Sequence, residues 1–183
     1  MSRRETIRQQ LERAAKDNLI VRVYRSKMGG EWEHGYVVGM GDDFIALESI
    51  SNSIYYDGYR CILLSDVTKC DVPDKYSEFL EKALRLRGLK QQGDQGVDYS
   101  SAKSIIQSVS ERFPLVTIHQ ERLYPNECYI GSVDKLSNGF LELQEIDPGG
   151  IWCEESEPYK LSDITKIAFG GAYEEALFLA VNG

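Results

Sequence analysis

One stretch of this chain occurs twice, and any fold assigned to it has to account for the recurrence. Leu64-Ser65-Asp66-Val67-Thr68-Lys69 returns as Leu161-Ser162-Asp163-Ile164-Thr165-Lys166, 97 residues later. Further along, Tyr76, Glu78, Leu80 and Ala83 fall on Tyr173, Glu175, Leu177 and Ala180. Before the motif the offset becomes 96, so that Gly35, Val37, Phe44, Leu47 and Ile50 meet Gly131, Val133, Phe140, Leu143 and Ile146. A one-residue slip is what a duplicated module with one loop insertion leaves behind. Self-similarity of this kind governs the reading of everything local. It divides the chain into a first module over 1–88, a linker over 89–100 and a second module over 101–183.

Charge is shared unequally between the two. Residues 1–92 hold 15 Lys and Arg against 14 Asp and Glu, for +1; residues 93–183 hold 6 against 15, for −9, and the two sum to the net −8. The first 27 residues are rich in bases, and Arg4, Arg8, Arg13 and Lys16 share one stretch with Arg22 and Arg25 close behind. Nucleic-acid affinity depends on neutralising phosphates with Lys and Arg. The second module is unsuited to that and would attract a basic partner instead.

Hydrophobic spacing gives each module one plan of helix, five short strands and helix. Ile7, Leu11 and Ala14 make a narrow apolar stripe over Arg4–Lys16. Strands are expected at Leu19–Tyr24, Tyr36–Met40, Phe44–Ile50, Tyr59–Leu64 and Val67–Val72, with turns at Met28-Gly29-Gly30 and Gly41-Asp42-Asp43. A helix over Tyr76–Arg87 stops at Gly88. The second set is a helix over Ser101–Phe113, strands at Leu115–Gln120, Cys128–Leu136, Phe140–Ile146, near Ile151–Pro158 and at Ile164–Ala168, and a helix over Tyr173–Val181. The expected class is mainly β with flanking helices, α+β.

Gly35-x-Val37-x-x-Met40-x-Asp42-x-Phe44-Ile45-x-Leu47, with its copy Gly131-x-Val133-x-x-Leu136-x-x-x-Phe140-Leu141-x-Leu143, resembles the first Sm motif. In that motif a glycine lets the second strand bend and an acidic turn leads into the third. LLSDVTKC and KLSDITKI resemble the kink and last strand of such barrels. The resemblance implies two tandem five-stranded Sm-like or SH3-like barrels. It would also imply RNA binding, but Ser65-Asp66 and Ser162-Asp163 stand where the Sm-like RNA-reading pairs would be, so no RNA-contacting residue carries over.

The repeated Ser-Asp is read as a turn, since both side chains bond nearby backbone N–H groups. His34 and His119 do not correspond in the repeat, and no GxSxG, HExxH or phosphate-cradling loop is present. No catalytic residue, cofactor or metal site is assigned. Cys61, Cys70, Cys128 and Cys153 lack metal-type spacing and read as reduced, and the start of the chain has no apolar leader region, which places the protein in the cytoplasm with no membrane role. Glu142, Glu145, Asp147, Glu154, Glu155 and Glu157 crowd into sixteen residues.

The expected function is therefore non-enzymatic binding. The acidic second module would dock a basic protein through those six carboxylates, as an immunity or antitoxin-like protein would mask a basic nuclease. The alternative is an RNA-binding regulator using Arg4, Arg8, Arg13, Arg22 and Arg25 with Tyr56, Tyr59 and Arg60. Free barrel edges leave oligomerisation open, and the basic first helix has an intramolecular use: docking on the acidic module.

Overall fold

A computed structural model describes residues 6–25, 32–154 and 158–183. Arg4, the Met28-Gly29-Gly30 turn, Glu155 and Glu157 lie outside the described residues. In chain order the elements are α1 (Ile7–Asp17), β1 (Ile20–Tyr24), β2 (Trp32–Met40), β3 (Phe44–Ile50), β4 (Tyr56–Leu63), β5 (Lys69–Asp71) and α2 (Ser77–Leu86). Then follow α3 (Ala102–Ser110), β6 (Val116–His119), β7 (Tyr129–Leu136), β8 (Phe140–Glu145), β9 (Pro158–Lys160), β10 (Lys166–Phe169) and α4 (Ala172–Asn182). The protein is mainly β, an antiparallel sheet with four helices among the described residues. Among the described residues no helix is long and apolar enough to cross a membrane.

Local chemistry sets the ends of these elements. Thr6 accepts the Gln9 backbone N–H while the Gln9 side chain takes the Thr6 N–H, a capping box that starts α1 at Ile7, the first residue of its apolar stripe. Asn18 in the left-handed region ends it. Ser101 caps α3 by accepting the Ser104 backbone N–H. Leu64–Asp66 and Leu161–Asp163 are single 3-10 turns, so both Ser-Asp pairs do sit in kinks. Neither turn is capped by its own side chain, however, and Asp66 spends its carboxylate elsewhere.

All ten strands belong to one sheet, ordered β5-β1-β2-β3-β4-β10-β6-β7-β8-β9. Two separate five-stranded sheets were expected. Instead β4 pairs with β10 along Tyr59↔Phe169, Arg60↔Ala168, Cys61↔Ile167 and Ile62↔Lys166. The sheet does not close, and its edges are β5 and β9. On either side of this seam the strands follow the same order and carry the same irregularities. The β2–β3 register shifts between Val37 and Gly39, and the β7–β8 register between Val133 and Lys135. The backbone N–H of Thr68 reaches Tyr24 as that of Thr165 reaches His119. A Cβ on Gly35 would stand 2.1 Å from the Glu48 carbonyl oxygen, and one on Gly131 2.2 Å from that of Gln144. Both glycines are therefore demanded by close backbone approach.

The helices cover the sheet in a fixed pattern. α1 buries Leu11 and Ala14 against Val21, Val23, Val37, Leu47 and Ile62. Its basic side is thus held on the first half, and Arg8 donates to the carbonyls of Gly41 and Asp42; the helix does not dock on the acidic half. α2 places Leu80 and Leu84 on Ile20, Tyr36 and Ile50, and α4 covers Leu115, Ile130 and Ile146. The largest cluster runs across the seam, joining Phe44, Ala46 and Cys61 to Ile105, Ile106, Leu141, Ile167 and Phe169. Each fully buried Leu or Ile here contributes about 1.5–3 kcal/mol.

The segment between α2 and α3 has no helix or strand, yet it is pinned. Glu48 accepts the backbone N–H groups of Gln92 and Gly93 at 2.8 and 2.9 Å. Tyr59 donates to the Gly93 carbonyl, and Val97 and Tyr99 enter the main core. The Tyr99 ring lies where a Gly39 side chain would be, 2.0 Å from its Cβ position. One strand falls later than expected: β9 forms at Pro158–Lys160, while Ile146 and Trp152 make only an isolated bridge.

Candidate functional site

The seam is where the two halves exchange charge. Arg25, just after β1, is wholly buried, and its guanidinium grips both oxygens of Glu121, which follows β6. The Thr165 hydroxyl bonds the same carboxylate and takes the Glu121 backbone N–H. Arg122 reaches back to Asp66 in the first 3-10 turn at 2.5 Å, and Arg25 stands 4.0 Å from that carboxylate. Lys166 at the start of β10 lies 3.5 Å from Glu33 and 3.8 Å from Glu121. Charges this deep persist only when paired and hydrogen-bonded. Burial pushes the Glu121 carboxyl up, but the Arg25 and Thr165 bonds outweigh it and hold the group down at about 2. Burial first, and then the Lys166 ammonium, lowers His119 beside it to about 3.

This arrangement has a directional result. The second half sends two of its six bases, Arg122 and Lys166, to first-half carboxylates and receives one, Arg25. Its outer carboxylates are left with little to balance them. Among the described residues Asp134, Glu127 and Glu154 make no ion pair, and Asp163 is met only by the Ser162 hydroxyl. Asp134 and Glu154 converge with Gln144 and Cys153 on a cleft of about 240 Å³.

The six carboxylates singled out by sequence do not form one face. Glu142 turns to Lys135 across the β7–β8 pair at 3.1 Å. Glu145, three positions on, points to the other side of the strand and accepts the Tyr159 hydroxyl. Asp147 is spent inside its own turn, accepting the N–H groups of Gly149 and Ile151. Glu154 alone of the described four is open. Asp134 was missed; it stands in the register shift of β7, where strand alternation gives no reliable facing.

The bases and rings of the RNA alternative are equally dispersed. Arg22 donates to Asp74 at 2.7 Å, and Arg25 is sealed in the seam. Arg8 bridges Glu12 and the β2–β3 turn, while Arg13 is exposed on α1. Tyr56 lies against Tyr36, Tyr59 stacks on Phe169 with ring centroids 5.0 Å apart, and Arg60 pairs with Asp57. A different grouping emerges at the far end of β1, where Arg22 lies 4.1 Å from the Trp32 ring and 5.4 Å from that of Tyr76. Lys75 and Lys69 stand over Tyr76 and Tyr24. No family model, curated protein or solved structure matches this chain.

Proposed function

We propose that the chain is a non-enzymatic binding protein of two duplicated, Sm-like or SH3-like units fused through their sheet. Its acidic second half docks a basic protein. The shared strand order, the matched register shifts and the paired Gly35 and Gly131 support the duplication. The seam carries the functional reading: it pairs Arg122 and Lys166 with first-half carboxylates and leaves Asp134 and Glu154 open on a common cleft. A surface of one sign steers an oppositely charged partner and sets its on-rate more than its final affinity.

The test is titration with oligolysine at two salt concentrations, using the wild-type chain and the double variant Asp134→Lys, Glu154→Lys. Salt-sensitive binding that the double variant loses by about tenfold or more is expected. Binding indifferent to both changes would remove the reading.

A second reading, RNA binding by the first half, rests on the interleaved Arg22, Trp32, Tyr76, Lys75, Tyr24 and Lys69. Aromatic rings beside cations suit single-stranded bases at about 1–3 kcal/mol per stacked base. Trp32→Ala would then abolish retention of a single-stranded RNA oligomer, while the two lysine substitutions above would not.

A further inference from the structure

Behind the seam, α4 does not seat fully on the sheet. Phe113, Pro114, Leu115, Phe178 and Leu179 line a groove of about 300 Å³ beside Gly170. A second hollow of about 210 Å³ continues it toward the first half, sharing Phe113, Gly170 and Glu175. Gly170 is what holds the passage open. Its φ of +63° suits glycine, and a Cβ there would stand 2.7 Å from the Phe113 ring. The floor is an aromatic stack, with Phe113 and Tyr59 both against Phe169. Leu179 forms the rim and is 71% exposed.

The charge of this trough is as one-sided as its walls are apolar. Glu48, Glu174 and Glu175 line it, and among the described residues no Lys or Arg does. Glu174 already accepts the Thr117 hydroxyl, and Glu48 the two linker N–H groups. Glu175 lies between the two hollows, exposed, with no ion pair among the described residues. Oligolysine-like charge alone would leave the apolar walls wet. An apolar peptide alone would leave Glu175 unanswered.

We infer that this trough is the anchor site for the partner, and that the partner enters it as a short amphipathic basic segment. One bulky apolar side chain would fill the space between Phe113, Phe178 and Leu179, with flanking Lys or Arg meeting Glu175. This rests on the reading that the second half takes a basic protein, and adds where the affinity is made. Buried apolar anchors carry most of the energy in such interfaces, while rim charges contribute selectivity.

The test uses a short fluorescein-labelled leucine–lysine amphipathic peptide, with oligolysine of equal length as control, on the full chain. The leucine–lysine peptide is expected to bind about tenfold tighter, from one buried leucine. Leu179→Asp, which removes the apolar rim but adds negative charge, should cancel that advantage without weakening oligolysine. Glu175→Lys should weaken the amphipathic peptide more than Asp134→Lys does, which gives a second variant if Leu179→Asp folds poorly. Equal binding of the two peptides, lost only with Asp134→Lys and Glu154→Lys, overturns the trough and leaves the docking reading standing. Binding of neither peptide overturns both. Self-association that Leu179→Asp abolishes makes a second copy the occupant and overturns the proposed partner.

Discussion

The two halves lay down the same strands and then treat the same residue in opposite ways. Asp66 and Asp163 occupy matching positions in matching 3-10 turns. Asp66 is buried and held by Arg122, with Arg25 behind it; Asp163 is half-exposed and touches only a serine hydroxyl. The strands before them diverge likewise. β4 has eight residues, a neighbour on each side, and Cys61 and Ile62 fully buried; β9 has three residues, one neighbour, and exposed Pro158 and Lys160. The lesson is that the seam, not the turn, decides what a Ser-Asp pair does. A strand covered on both edges can be apolar throughout, whereas an edge strand keeps a proline and charge.

The most damaging way to probe that difference is at Arg25. Arg25→Ala leaves Glu121 buried without its cation and should cost about 3–5 kcal/mol in urea unfolding. Asp163→Asn, at the open counterpart of Asp66, should stay within about 0.5 kcal/mol. Comparable losses at both would break the contrast between sealed and open turns. Arg25→Met combined with Glu121→Leu should recover much of the loss, because removing both charges removes the desolvation cost as well.

A smaller effect tests where the halves agree. Gly35→Ala and Gly131→Ala each push a methyl into the carbonyl of the facing strand. Each should cost about 1–3 kcal/mol, with the two losses close to each other. Thermal unfolding of the two variants measures this directly. A large loss at one glycine and none at the other would mean that the matched register hides two differently built strands.

The strand plan was legible because alternation and turn chemistry act locally. Phe44–Ile50 falls where its pattern places it, and the Gly35 and Gly131 motif marks two close crossings. The union of ten strands into one sheet was not, since the β4–β10 pairing joins residues more than a hundred positions apart. Cys61-Ile62 and Ile167-Ala168 did carry a sign of it, being apolar without alternation, as strands buried on both faces are. The pinned linker was hidden for another reason: its anchor is Glu48, a charged residue in a strand whose seven residues are all buried. The acidic candidates were grouped by distance along the chain, but alternation sends Glu142 and Glu145 to opposite sides of β8. What sequence proximity gathered, the strand separated, and Asp134 joined Glu154 from eight residues before the group began.

The last contrast is a pH slope that belongs mainly to the second half. His119 faces Lys166, Glu121, Arg25 and Arg60 and is held down to about 3 from an ordinary 6.5; the matching position across the seam holds Tyr24. Between those values the unfolded chain binds the proton and the folded chain does not, so stability rises with pH and is lost as pH falls below 6.5. His34, also lowered by burial, adds in the same direction. Glu121 follows at lower pH. Its carboxyl is depressed from 4.5 to about 2, so the stability it contributes is present above 4.5 and lost as pH drops through that interval. The variant His119→Gln should therefore flatten the decline in melting temperature between pH 6.5 and 4.5 and leave the steeper loss below 4.5 in place. An unchanged upper slope would put the acid sensitivity in the first half, at His34, and reverse the comparison between the two.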